Sequence, residues 1–380
     1  MMDEKRAWVE VDLDALAHNA AQFRDAAPCE CELMAIVKAD AYGHGAVRVA
    51  KRLQSEGVKS FAVATAGEGI QLRESGLGGD ILILNYTHPQ YAEYLSAHNL
   101  TQLIIDGAYA KALDETGHKI NVHLAIDTGM HREGIPAANT EEIESVFTRK
   151  NLNVLGVATH LASSDSLSAQ DIEFSNLQIE KFFATVDEIK SRGHEPGKLH
   201  IQASYGLLNY PELRCDYSRI GIGLYGVMSH FEATKTQLDL KPVLALKATV
   251  AQVRRIDAGE SVSYSRTFTA DKPMKIATVC IGYADGVPRQ LSGNNAECIV
   301  NGSRVPIVGR ICMDLLMIDV SGIDSIEAGD VATLIGRDGD EEIRCEEVAS
   351  KAGTITNEIL CRLGGRLPRL YTSRSSTARD

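Results

Sequence analysis

Eight short runs rich in aliphatic and β-branched residues recur along the chain up to Gly226: "ELMAIVK", "SFAVAT", "DILILN", "TQLIID", "INVHLAID", "NVLGVATHLA", "KLHIQAS" and "DYSRIGIGLYG". Helical patterns separate most of them, among them "GAVRVAKRLQSEG", "AGEGIQLRESG", "NTEEIESVFTRK" and the long "SAQDIEFSNLQIEKFFATVDEIKSRG". A run that is apolar throughout suits a strand covered on both faces. Alternation with amphipathic helices sets successive strands parallel. Eight such units in about 230 residues are the size of a (β/α)8 barrel. The competing architecture, an open doubly wound sheet, needs a G-x-G-x-x-G turn after its first strand, and none is present.

The pattern changes after about residue 235. "PVLALKATVAQVRRI", "KIATVCIGYADG", "ECIVNGSRVPIVGRICMDLLMIDV" and "DVATLIG" follow with turn residues and little helix between them. Asn301-Gly302 between two apolar runs is a hairpin signal. The expected architecture is therefore α/β: a TIM barrel over residues 1–235, then a mostly antiparallel β domain over residues 236–380. "HFEATKTQLDLKP" is the expected connection and "TSRSSTARD" an expected disordered tail.

Composition excludes several classes of partner. The net charge of −12 argues against nucleic acid or an anionic membrane. No apolar window is long enough to cross a bilayer, and "MMDEKRAWVE" lacks the apolar core of a signal peptide. The eight cysteines are scattered, with no C-x-x-C and no zinc spacing, so reduced thiols in a cytoplasmic protein and no metal are expected.

Active sites of such barrels lie at the C-terminal ends of the strands. "AIVKADAYGHG" ends the first run on Lys38, read here as the last residue of its strand. A lysine among apolar neighbours loses solvation, which lowers its pKa and makes it a nucleophile. Tyr42, Gly43 and Gly45 follow, and glycines let a backbone approach a ligand closely. Arg132 lies beyond the fifth run, His160 ends the sixth, and the seventh carries His200 and ends on Ser204. Arg219 comes from the eighth. The N–H groups of Gly221 and Ile222, with the Ser204 hydroxyl, can cradle a phosphate. Singly, each has a plain structural reading: a solvated lysine, a satisfied core histidine, an ion-paired arginine. Convergence from five strand ends is what points to a site.

"VKADAYGHG" resembles the pyridoxal-phosphate attachment motif of alanine racemases. The resemblance extends through "DTGMHR", "THLASSD", "RIGIGLYG", "SVSYSRTF", "IGYADGVPR", "GRICMDLLMIDV" and "EILCRLGGRLPR". It implies pyridoxal 5'-phosphate as cofactor and an amino acid as substrate. It also implies a head-to-tail homodimer in which the β domain of one subunit completes the other's active site. Lys38 is then the residue holding the cofactor. Tyr42, Ser204, Gly221, Ile222 and Tyr225 surround its phosphate. Arg219 faces the pyridine nitrogen, with His200 behind it, and His160 lies near the ring. Tyr264 enters from the partner as a second base. Arg132 and Met313 bind the substrate carboxylate, and Tyr283 narrows the entry. Racemisation moves a proton between two faces of one carbon, so one base on each face is the direct solution. Ordinary pKa values near ~10 for Tyr and ~10.4 for Lys must both be tuned down. An arginine at the pyridine nitrogen cannot accept a proton, so that nitrogen stays neutral.

Two positions depart from the family pattern. Many members carry a carbamylated lysine two residues before the "DTGM" aspartate; here that position is Ala125. Where a tyrosine commonly lines the pocket for the substrate methyl, this chain has Asn357. A larger, more polar pocket resembles the serine/alanine racemase domain of membrane-bound vancomycin-resistance racemases. The expectation is racemisation of alanine and serine for peptidoglycan precursors, by a free-standing relative or by the cytoplasmic domain of a membrane-bound parent. Two alternatives stand beside it. A fold-related decarboxylase should lack the "SVSY" tyrosine and use a cysteine-bearing loop. A single-barrel cofactor carrier should lack the β domain.

Overall fold

The structure, a computed structural model, describes residues 6–229, 234–293 and 295–373. Part of the expected connection and most of the expected tail lie outside the described residues. In chain order the first half comprises β1 (Ala7–Asp12), α1 (Leu13–Ala26), β2 (Glu32–Ile36), α2 (Lys38–Tyr42), α3 (Ala46–Ser55), β3 (Ser60–Val63), α4 (Ala66–Glu74) and β4 (Asp80–Ile83). Then follow α5 (Ala92–Ala97), β5 (Thr101–Ile104), α6 (Gly107–Asp114), β6 (Ile120–Asp127), the short β7 (Ile135–Pro136), α7 (Thr140–Phe147), β8 (Leu152–Ala158), α8 (Ala169–Ser191), β9 (Lys198–His200), α9 (Ser204–Asn209) and β10 (Tyr217–Ile220).

Eight parallel strands run in the order β10-β2-β3-β4-β5-β6-β8-β9. Backbone hydrogen bonds from Asp216 N–H to Leu199 C=O (2.9 Å) and from Arg219 N–H to Gln202 C=O (3.0 Å) bring the last strand back to β9 and close the ring. The strands are short and buried on both faces, as "SFAV" and "DILI" show, because helices cover them outside and side chains fill them inside. Side-chain caps start the helices where the sequence turns from strand to loop. Thr65 and Glu68 form a capping box on α4, and Asp106 and Ser168 cap α6 and α8. Helix α1 covers the segment after the last strand. Its buried Asn19 donates to the Leu224 and Lys241 carbonyls, and its Phe23 fills the space that a Cβ on Gly223 would need.

The second half holds β11 (Leu244–Ile256), β12 (Ser261–Val262), β13 (Phe268–Thr269), β14 (Met274–Val279), β15 (Glu297–Val300), β16 (Ser303–Val308), β17 (Leu316–Asp319), β18 (Val331–Asp338), β19 (Glu341–Ile343), α10 (Cys345–Ala352), α11 (Thr356–Cys361) and β20 (Arg369–Thr372). Nine strands form one sheet in the order β19-β18-β15-β16-β17-β14-β11-β1-β20, and β18 also pairs with β11. Asn301 and Gly302 take positive φ (49° and 72°), the left-handed pair that the β15–β16 hairpin demands.

One strand lies where the sequence reading does not put it. Residues 1–235 read as barrel, yet β1 sits in the second sheet, antiparallel to β11 (Ala7↔Ala248, Val11↔Leu244) and parallel to β20. Its Val9 and Val11 are fully buried there. Among the described residues no helix is long and apolar enough to cross a membrane.

Candidate active site

At the C-terminal mouth of the barrel lies a cleft of about 560 Å³ whose wall includes Lys38, Tyr42, Arg132, His160, Ser204 and Arg219. His200, Gly221, Ile222 and Asn357 also line it.

Lys38 is not the last residue of its strand. β2 ends at Ile36, and Lys38 opens the one-turn α2, where Ala39, Asp40, Ala41 and Tyr42 all take φ of 52–55°. Left-handed backbone costs non-glycine residues roughly 1–2 kcal/mol each, so the surroundings must hold it. They do so from three sides. The Ala39 N–H donates to Glu68 Oε1 (2.7 Å), Asp40 Oδ1 accepts from Ala46 N–H (2.7 Å), and Arg369 Nε donates to the Gly43 carbonyl (3.0 Å). Gly43 itself must be glycine: its φ is +80°, and a Cβ there would lie 2.4 Å from the Leu360 carbonyl oxygen. The turn aims Lys38 into the cleft, where burial and then the charge of Arg132 push its pKa below the ordinary lysine range.

Arg219 is buried at the cleft floor. Its Nη1 donates to His200 Nδ1 (2.9 Å) and to the His200 carbonyl (2.8 Å). Its Nη2 donates to the Thr159 carbonyl (2.7 Å), the Ile201 carbonyl (3.1 Å) and His160 Nδ1 (3.1 Å). A guanidinium only donates, so Nδ1 of both histidines is the acceptor and both rings are neutral Nε2–H tautomers. His200 Nε2 then donates to His123 Nδ1 (2.8 Å). Burial first, and Arg219 next, drive His160 down to about 3 and His123 to about 4, and push His200 well below its usual value. Burial brings Arg219 itself down to about 10.

Ser204 begins α9 rather than ending a strand; β9 stops at His200, and β8 stops two residues before His160. The Gly221 and Gly223 N–H groups converge on Ser204 Oγ (3.2 and 3.4 Å). A Cβ on Gly221 would come within 2.9 Å of the Tyr42 hydroxyl. Burial pushes the Tyr42 phenol above its ordinary range, so it stays a neutral donor. Tyr225 is placed differently from the expectation. It does not line the cleft; it is fully buried behind Tyr42 (ring centroids 5.1 Å), and its hydroxyl donates to the Ile36 carbonyl (2.9 Å). The left-handed turn at α2 brings Tyr42 across in front of it.

Ala125 faces the cleft, and Arg132 beside it is more than half exposed, paired only loosely with Glu133 (3.3 Å). Its loop is shaped by Asp127, which accepts from the Gly129 and His131 N–H groups and from His131 Nδ1. Asn357, near the start of α11, accepts at Oδ1 from the Ser229 hydroxyl (2.7 Å).

Tyr264, Tyr283 and Met313 do not line this cleft. They stand exposed on the β domain. Tyr264 sits in a loop between β12 and β13 whose Ser263, Ser265 and Arg266 all have positive φ (67°, 58°, 50°). The Ser263 hydroxyl donates to the Arg310 carbonyl (2.6 Å), the Tyr283 N–H to the Cys312 carbonyl (3.0 Å) and the Ala284 N–H to the Met313 carbonyl (3.0 Å). The segment 310–313 thus ties all three residues into one lip. Two buried residues behind the cleft lining went unread in the sequence, His123 against His200 and Gln178 against the His160 carbonyl. Both are polar side chains at core-facing positions, which is the one signal that marks them.

The family model described as alanine racemase, N-terminal domain, matches residues 11–229, and that described as alanine racemase, C-terminal domain, matches residues 243–371. The chain belongs to the alanine racemase family. It is 44% identical over 366 residues to an amino-acid racemase of Enterococcus faecalis, covering 96% of this chain and 51% of that protein. The chain thus spans about half the length of that relative. It is 42% identical to an alanine racemase of Carboxydothermus hydrogenoformans over 96% of this chain and 99% of that one. The crystal structure of alanine racemase from Bacillus anthracis with bound L-Ala-P superposes with a TM-score of 0.92 at 32% identity, covering 99% of this chain and 97% of that one.

The alanine racemase family is pyridoxal-phosphate-dependent, and the residues present fit that cofactor. Ile222 lines the cleft beside the two N–H groups gathered at Ser204, and its own N–H meets no acceptor among the described residues. Backbone donors clustered in this way suit a phosphate. Glycine at 221 keeps open the space beside Tyr42 that a side chain would fill.

Proposed function

We propose that this chain interconverts the L and D forms of alanine and of serine, with Lys38 of one copy and Tyr264 of a second copy serving opposite faces of the substrate Cα. Racemase chemistry comes with membership of the family; the two bases, the second substrate and the shared site are what we propose. The observation that carries it is a single juxtaposition: a desolvated Lys38 across one cleft from Arg219, a cation wedged between two neutral histidines.

Lys38, Tyr42, Ser204, Gly221 and Ile222 would hold pyridoxal phosphate, and Arg219 would meet its ring nitrogen. Once bound, that group supplies the electron sink that lets a substrate Cα lose its proton. Lys38 Nζ, unprotonated more often than an exposed lysine, takes a proton from one face. Tyr264 Oη delivers one to the other. Arg219 has no lone pair to accept a proton, so it stabilises by donation alone. Arg132 would pair with the substrate carboxylate, assisted by Met313, and Tyr283 would narrow the entry. Because Tyr264, Tyr283 and Met313 lie together on an exposed lip away from their own cleft, a second copy docked head to tail is the arrangement that brings lip to cleft. Asn357 supports serine as a second substrate, since its amide lines the pocket and both donates and accepts. Eight free thiols suit a cytoplasmic setting, in which D-alanine and D-serine would enter peptidoglycan precursors of the vancomycin-resistant kind.

The test is a chiral assay of the cofactor-loaded chain on L-alanine and L-serine side by side. D-Enantiomers should form from both. No D-alanine would sink the reading, and D-alanine without D-serine would sink its serine half.

A further inference from the structure

With Ala125 in the cleft wall, that position offers no long side chain to Arg132, whose guanidinium pairs, among the described residues, with its neighbour Glu133. Asp127 shapes this loop from within, and a further tie comes from α8. Gln178 on that helix is fully buried. Its Nε2 donates to Thr128 Oγ1 (3.1 Å) and to the His160 carbonyl (3.1 Å), and its Oε1 accepts from the Ala162 N–H (2.9 Å). One amide thus grips two loops: the "DTGMHR" loop that carries Arg132 and the "THLA" loop that carries His160.

The proton positions in this clamp have a single solution. The Ala162 N–H can only donate and the His160 carbonyl can only accept, which fixes which way the Gln178 amide faces. Thr159 Oγ1 spends its one proton on the Ile126 carbonyl (2.8 Å), so the Thr128 hydroxyl must donate to Thr159 (2.9 Å). Thr128 oxygen is then left as acceptor for Gln178 Nε2. The chain of donors runs one way, from Gln178 through Thr128 and Thr159 to the backbone of β6. A second contact seats the same loop. Gly129 has φ of +141°, and a Cβ there would come within 3.2 Å of the Phe174 ring and 3.8 Å of Gln178 Cγ, so α8 packs directly on the loop backbone.

We infer that Gln178 is a positioning residue for the reaction: by clamping the Thr128 and His160 loops to one amide, it sets where Arg132 stands relative to the cleft floor. This rests on the reading of Arg132 as the group that binds the substrate carboxylate. Gln178 does not line the cleft. It acts through Arg132, and a displacement of that loop by about an ångström costs up to roughly 100-fold in turnover efficiency.

The test is a double-mutant cycle on the cofactor-loaded enzyme, with KM for L-alanine, kcat and the cofactor's visible spectrum as readouts. Gln178→Leu should raise KM roughly 10- to 100-fold. It should leave the cofactor attached and its absorbance in place, because the Lys38 turn is held by other contacts. Arg132→Ala should raise KM as well, and Gln178→Leu should then add little on that background, because both act through one interaction. Additive losses, or a lower melting temperature with KM unmoved, would overturn the clamp while leaving the reading of Arg132 intact. Arg132→Ala with an unchanged KM would overturn both. Gln178→Glu keeps the volume and covers the case in which leucine does not fold. Its carboxylate cannot donate to the His160 carbonyl or to Thr128, whereas its protonated form donates once. KM of that variant, relative to the parent at each pH, should fall as the pH is lowered; a flat ratio counts against the proposal.

Discussion

Asn357 lines the cleft and carries the proposal of serine as a second substrate. A serine substrate carries one hydroxyl more than alanine, and in a tight apolar pocket that hydroxyl loses water without a partner, at about 1–3 kcal/mol. Asn357 already holds Ser229 through Oδ1, and its Nδ2 has no hydrogen bond among the described residues. Asn357→Tyr should lower kcat/KM for serine relative to alanine by roughly 10- to 100-fold. Chiral assays with both substrates decide it, and an equal response of the two removes Asn357 as the selector. At Lys38 the expected outcome is covalent: borohydride treatment of the cofactor-loaded chain should fix the label on the one peptide that contains Lys38. Label on another lysine would refute the assignment. The buried histidines add a prediction about pH. His44 and His123 are held near 4 and His160 near 3, each by burial first. Their unfolded values lie near ~6.5, so between the two the unfolded chain binds more protons, and stability falls as pH falls through that window. Each should cost about 2 kcal/mol of stability at pH 5 relative to neutral pH. Denaturant melts at pH 7 and pH 5 should show this loss, and His44→Gln should make it smaller.

At the scale of elements, the α2 turn and α11 act as one piece. Gly43 backs onto the Leu360 carbonyl, and α11 carries both Leu360 and Asn357, so the element that presents Lys38 leans on the one that lines the substrate pocket. Gly43→Ala would force a Cβ into 2.4 Å from that oxygen at φ +80°. It should cost about 2 kcal/mol or more of stability. Equilibrium denaturation checks this, and reduced cofactor retention should accompany it. Much of this was legible beforehand. Apolar runs such as "SFAV" mark buried parallel strands because both faces are covered, and Asn301-Gly302 marks its hairpin because the turn needs two positive φ values. Strand ends were less legible. Lys38 and His160 fall two residues past theirs and Ser204 four, because local pattern does not say where hydrogen bonding to a neighbour stops. "AWVEVD" reads as a strand but does not name its partner, which lies more than two hundred residues away. Tyr225 was misplaced for a similar reason: four consecutive left-handed residues, which no propensity foretells, swing Tyr42 in front of it. Gln178 was hidden inside a long amphipathic helix, where one buried amide does not disturb the pattern.

For the whole molecule, the question is why the two groups proposed to serve one carbon sit on different domains and apart. Lys38 lines the barrel cleft, while Tyr264 is exposed on the β-domain lip with Tyr283 and Met313. The lip is rigidly built. Asp285 is fully buried, accepts from Arg6 and from the Gly282 N–H, and so braces the Tyr283 turn against the N-terminal segment. Strain in the Tyr264 loop, with three neighbouring residues at positive φ, is the sort that persists where geometry is used. In the proposed two-fold dimer each lip would lie over the other copy's cleft, making two equivalent sites. Lys38→Ala and Tyr264→Phe should then each be nearly inactive. Mixed under conditions that exchange subunits, they should regain activity, because a mixed dimer has one site with both groups intact and one with neither. Random exchange makes half the dimers mixed, each with one working site of two, so recovery should approach about a quarter of the parent's activity. Native mass spectrometry confirms that mixed dimers form. If they form and activity stays at the level of the separate variants, Lys38 and Tyr264 do not share a site across subunits.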